Sequence, residues 1–196
     1  MIEREQLLLF ATRFFRERME QSKQEIVNEL SMNRKKYREE LLEICNRLFQ
    51  KAYEINADDV ESRWKYLHFF ILRSAMLTGE YEIQIQLFPR EEYLCKTELW
   101  EIWYPEFIMK HFRNDMEVFE EKARKEIIQY CYQDRMKIME RYYPQYLMIV
   151  KEFIVSVLEA IVELDSFQKL EKEEEFAIRY GGYMEQGEIT WQIMNT

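Results

Sequence analysis

The chain has 196 residues with 37 acidic against 28 basic side chains, a formal charge of −9, and 47% hydrophobic content. That combination supplies a core and a solvated surface and excludes a disordered segment; the one dense basic cluster, Arg34, Lys35, Lys36 and Arg38, is followed by Glu39, Glu40 and Glu43, which leaves no contiguous positive surface for nucleic acid. Ten acids against four bases in residues 151–196 carry most of the negative charge, and an acidic face steers toward a basic partner.

Glycine and proline number only four and three, and the first of either is Gly79. A long opening without turn residues reads as helix. From Leu8 to Ile55 the apolar residues keep helical phase, through Ala11, Phe15, Met19, Ile26, Leu30, Tyr37, Leu41, Ile44, Leu48 and Ala52. Ser31 and Asn33 compete for backbone hydrogen bonds, so two helices are expected, 3–30 and 33–55, and they are the candidate surface for a homodimer. Asp58 and Glu61 have the spacing of a capping box, opening a third helix with Val60, Trp64, Leu67, Ile71 and Ala75 inside and Gly79 as its left-handed cap.

Tyr81, Ile83, Ile85 and Leu87 alternate with polar residues, as do Ile189, Trp191 and Ile193. These runs predict strands near 81–88 and 188–194 that pair as a small antiparallel element. Between them the pattern predicts a helix over 90–103 and a long one from Pro105 that ends before Pro144; the aromatic clusters at its two ends can meet only if it is broken or bent, with Gln133–Asp134 the place for it. Residues 145–164 are the most apolar stretch and predict a central helix, with Glu152, Glu159 and Glu163 as its one solvated stripe. Residues 166–180, with the Glu171–Glu175 cluster, predict a last helix ending at Gly181–Gly182. The expected fold is therefore mainly α, a single domain over 1–196 with five to seven helices around 145–164 and a small antiparallel β element.

Chemistry-bearing motifs are absent: His68 and His111 lack the Glu-x-x-His of di-iron bundles, the three cysteines are too dispersed for zinc, and there is no HExxH, GxSxG, Walker or GxGxxG motif. No metal or cofactor is expected. No stretch reads as a signal peptide or membrane span, so the expectation is a cytoplasmic protein off the membrane. The constellation that stands out is aromatic. Trp100, Trp103, Tyr104 and Phe107 surround Pro105, and Tyr142, Tyr143 and Tyr146 surround Pro144; such groups anchor partners or line pockets, and they also pack cores. Together these features predict a non-catalytic protein-interaction module, an adaptor, inhibitor or immunity-type partner of another protein. The alternative is a helical small-molecule binder with an aromatic-lined apolar pocket.

Overall fold

The computed structural model describes residues 4–56, 63–89, 99–183 and 185–193. After a 3-10 turn at Arg4–Gln6 come α1 (Leu7–Asn56), β1 (Trp64–Ile71), α2 (Arg73–Thr78), β2 (Ile83–Pro89), β3 (Leu99–Trp103), α3 (Glu106–Glu126), α4 (Tyr132–Val162), α5 (Asp165–Gln168), β4 (Lys172–Gly182) and β5 (Glu188–Gln192). The contacts resolve two compact units, Met1–Arg34 with Pro105–Val150 and Lys35–Tyr104 with Lys151–Thr196.

The N-terminal region is one helix of 50 residues, about 75 Å long. The expected break at Ser31–Asn33 does not occur because both side chains turn back onto the preceding turn: Ser31 Oγ donates to the Asn28 carbonyl at 2.7 Å and Asn33 Nδ2 to that of Glu29 at 3.4 Å. Hydroxyl and amide groups satisfied this way leave the backbone ladder intact.

The first unit is helical. Ala11, Phe15, Ser22 and Ile26 of α1, Phe112, Asp115, Met116 and Phe119 of α3, and Ile138, Tyr142, Tyr143 and Tyr146 of α4 are buried. Its core is aromatic, with Phe15 stacked on Tyr142 at 4.0 Å and Phe119 against Phe10, Phe14 and Phe15. One carboxylate lies among the rings. Asp115 Oδ1 accepts from Arg18 Nε at 2.9 Å and Nη2 at 2.5 Å, and its Oδ2 accepts from Ser22 Oγ at 2.6 Å and the Tyr146 hydroxyl at 2.5 Å. Four donors saturate the carboxylate, as a buried charge requires. Burial, followed by the hydrogen bond to Asp115, pushes the Tyr146 phenol well up.

The helix from Pro105 breaks earlier than the sequence suggests, at Ile127–Tyr130, where Gln129 takes φ of 57°. Asp134 opens the next helix rather than bending the previous one: its Oδ2 accepts from the Cys131 N–H at 3.1 Å, half of a capping box. That helix then continues through Pro144. Burial of Tyr142, Tyr143 and Tyr146 on either side outweighs a helix-interior proline penalty of roughly 3 kcal/mol. The expected central helix 145–164 is thus the second part of α4, which ends at Val162; Glu152 and Glu159 on it, and Glu163 just past its end, are exposed.

The second unit corrects the fold class. It is built on a five-stranded mixed sheet of order β3-β2-β1-β4-β5, too substantial for a bundle with a small β element. The two expected strands do not pair with each other, because β1 and β4 lie between them; β1 pairs parallel with β4, and the other neighbours are antiparallel. Segments read as helices are strands: Trp64–Ile71 is β1, Leu99–Trp103 is β3, and Lys172–Gly182 is β4. The proposed Asp58–Glu61 capping box and the start of the 90–103 helix lie outside the described residues. Gly79 does cap left-handed at φ of 81°, its N–H donating to Ala75 O at 3.0 Å, but it ends the short α2.

Register divides the sheet into two faces. Leu67, Phe69, Ile83, Ile85, Trp103, Ile178, Tyr180 and Trp191 share one, where Trp103 stacks on Phe153 of α4 and Phe167 of α5 meets Phe49, Phe176 and Trp191. Lys172 anchors the α5 end, donating to the carbonyls of Phe167 at 2.6 Å and Leu170 at 2.8 Å. The other face carries Tyr66, His68, Phe70, Gln84, Gln86, Phe88, Trp100, Ala177, Arg179 and Ile189. Part of it is roofed by the β4–β5 connection, with Tyr183 edge-on against Phe70 at 5.5 Å.

Candidate functional site

The site lies on that second face and begins with an irregularity. Tyr66 through Ile71 pair in step with Ala177 through Gly182, yet Trp64 pairs with Lys172, so two steps of β1 face five of β4. The surplus residues of β4 bow out of the ladder, and bulges of this kind re-aim side chains. A cleft of about 600 Å³ results, lined by Lys65, Tyr66, Glu174, Glu175, Ala177, Arg179, Ile189, Gln192 and Ile193.

Tyr66 is the centre of its electrostatics. The Arg179 guanidinium carbon lies 3.5 Å from the ring centroid and Lys65 Nζ 5.4 Å from it, both within cation–π range. Arg179 is buried, 7% exposed, whereas Glu174 and Glu175 are exposed at the mouth. Lys65 Nζ is 3.5 Å from Glu175, with side chains 17% and 82% exposed. The Tyr66 phenol, and beyond it Glu175, hold the Lys65 ammonium above its usual range.

His68 sits across the ladder from Arg179. Its ring stacks on Phe70 at 3.7 Å, and Nε2 has no hydrogen-bond partner among the described residues. Burial first, then the Arg179 charge, lowers its pKa to about 4, so the imidazole is neutral at pH 7. A folded-state pKa below the unfolded value near 6.5 means that this contribution to stability is present above pH 6.5 and is lost as pH falls toward 4, at no more than about 1.4 kcal/mol per pH unit. Urea unfolding at pH 7.0, 6.0 and 5.0 is expected to show that loss in the wild type and a shallower one in His68→Phe. Parallel slopes would remove His68 as the source.

Among the described residues no group of three or more His, Cys, Asp and Glu side chains is placed to hold a metal ion, and no helix is long and apolar enough to cross a membrane. The cleft presents two cations, two carboxylates, a phenol and an amide beside apolar walls.

The aromatic candidates are distributed differently. Trp103 is 1% exposed against Phe153, and Phe107 is buried. Tyr142 is buried on Phe15, Tyr143 on Phe112, and Tyr146 holds Asp115. Trp100 and Tyr104 are half exposed, at 49% and 50%. Trp100, Trp103 and Tyr104 belong to the sheet unit and the other four to the helical unit. The cleft residues escaped the sequence reading because parallel pairing of β1 with β4 is what joins Lys65 and Tyr66 to Arg179. The available signal was a single charge within an apolar run, Arg179 between Phe176 and Tyr180.

Comparison with protein-family models, curated proteins and solved structures returns no match to this chain.

Proposed function

We propose that the chain is a non-catalytic, cytoplasmic protein-interaction module that captures another protein on the second face of its sheet. The observation that carries this reading is the cleft at the β1–β4 irregularity, in which Lys65 and Arg179 flank Tyr66. Exposed Ile189 lines it, and exposed Trp100 lies farther along the same face. Aromatic and arginine side chains are the usual anchors of protein interfaces. The absence of recognised catalytic motifs in the sequence supports capture over turnover.

Photo-crosslinking tests it. A benzophenone side chain at position 189 or position 100 is expected to trap the same partner from cells, and one at Glu159, exposed on α4, to trap none. Equal trapping at Glu159, or none at the two sheet positions, would overturn the reading.

A further inference from the structure

His68 is buried, yet its Nε2 has no hydrogen-bond partner among the described residues. Gly187, at the entry to β5, closes over that edge of the ring: a methyl there would lie 2.6 Å from Nε2, so only glycine lets the backbone come this near. The face of the ring is taken by Phe70, stacked at 3.7 Å. A neutral imidazole fits such a place. An imidazolium does not, because both of its nitrogens are donors, and a buried charged donor without an acceptor is costly. Among the described residues the charges around the ring do not offset that cost. From β4 it faces Arg179, of like sign, and from β2 the uncharged amide of Gln86; Lys65, on the same strand as His68, pairs with Glu175. Glu185, between β4 and β5, accepts from the Gly182 N–H at 3.3 Å, and Glu188 of β5 accepts from Lys151 of α4 at 2.6 Å.

We propose that His68 is an acid-operated latch, whose protonation releases Gly187 and β5 from β4 while the other four strands stay paired. β5 is the element that yields because it stands at the sheet margin, has five residues, and meets β4 with a register irregularity between Ile178 and Arg179, beside the latch. β1, which carries His68, is held on both sides, by β2 and β4. Release frees the Nε2 edge of the ring and reshapes the second face, on which Ile189 of β5 stands; the device holds whether or not that face captures a protein. Its direction follows from burial and then the Arg179 charge, which lower the pKa of the closed ring to about 4. β5 stays closed above pH 6.5, where the ring is neutral in both states, and loosens as pH falls toward 4.

Native-state hydrogen exchange of the full chain tests this, read amide by amide by NMR from neutral pH down to about pH 4.5, with the intrinsic exchange rate divided out. One proton gained on opening makes the opening of β5 rise about ten-fold per pH unit below pH 6.5. The β5 amides are expected to open more readily than that of Ile85 in the internal strand β2, and their opening to be unchanged by about 1 M urea, because a local release exposes little surface. His68→Phe and His68→Leu are each expected to remove the ten-fold dependence. In the wild type, the Cε1–H resonance of His68 is expected to titrate well below pH 6. Opening of β5 that is independent of pH, that keeps its pH dependence in either variant, or that matches Ile85 in both rate and urea response would overturn the proposal. So would a ring that titrates near 6.5, since an imidazole open to water latches nothing.

Discussion

Asp115→Ala is expected to cost about 3–5 kcal/mol, the usual result of removing one partner from a buried ion pair. The carboxylate is fully buried and collects donors from two other helices, Arg18 and Ser22 of α1 and Tyr146 of α4. Removing it leaves a guanidinium on a side chain only 25% exposed and two hydroxyls that lose their acceptor. Asp115→Asn is expected to lose about 2 kcal/mol, because its remaining oxygen still serves the guanidinium while the hydroxyls rotate to accept from the new amide. Tyr146→Phe deletes one donor and leaves three, for about 1–2 kcal/mol. The graded series is informative because a mere cavity would rank the variants by volume. All four tryptophans, Trp64, Trp100, Trp103 and Trp191, belong to the sheet unit. Urea unfolding followed by both far-UV ellipticity and tryptophan fluorescence therefore shows whether loss of the carboxylate stays within the helical unit. A loss below about 1 kcal/mol for Asp115→Ala would mean that the four hydrogen bonds hold nothing that packing does not already hold.

What the sequence disclosed follows from how many sides of each element are buried. The stripe of α1 was legible because one face is buried: Ala11, Phe15, Met19, Ile26, Leu41, Ile44, Leu48 and Ala52 are all core. Strand β2 was legible through its alternation, and β5, at the sheet margin, shows the same period. Strands β2, β1 and β4 are all internal, but β2 keeps its alternation because Gln84 and Gln86 stand on its second face, whereas β1 carries Phe70 there. Phe69 packs toward the helices and Phe70 toward the other face, both fully buried, so the period of two disappears into a continuous apolar run. In that run the accidental spacing of Trp64, Leu67, Ile71 and Ala75 mimics a helix. Glu173 to Glu175 deepen the confusion at β4, since glutamate favours helices and pairing with β1 overrides that preference. Ser31 and Asn33 misled in the opposite sense: their cap preference is real, but the same groups bond back within a helix. The site depends on all of these errors at once. Its cations and its tyrosine come from β1 and β4, and neither their pairing nor their irregular register is encoded locally.

Gly187→Ala is expected to destabilise the sheet unit by about 2–5 kcal/mol, from two separable causes. Gly187 has φ of 66°, and a side chain in that left-handed region costs about 1–2 kcal/mol. A methyl there would also lie 2.6 Å from His68 Nε2 and 2.7 Å from Cε1, and overpacking of this kind adds about 1–3 kcal/mol. The imidazole has little room to retreat, because it is 2% exposed and stacked on Phe70. A double-mutant cycle separates the causes. His68→Ala in the Gly187→Ala background removes the overlap and leaves the backbone cost, so the two substitutions should couple favourably by about 1–3 kcal/mol. Tryptophan fluorescence should report the whole effect, with Trp191 on β5 just beyond the altered residue. Strict additivity would mean that the β4–β5 connection does not rest on His68. With coupling, the same contact reaches the cleft, since His68 faces Arg179 across the ladder.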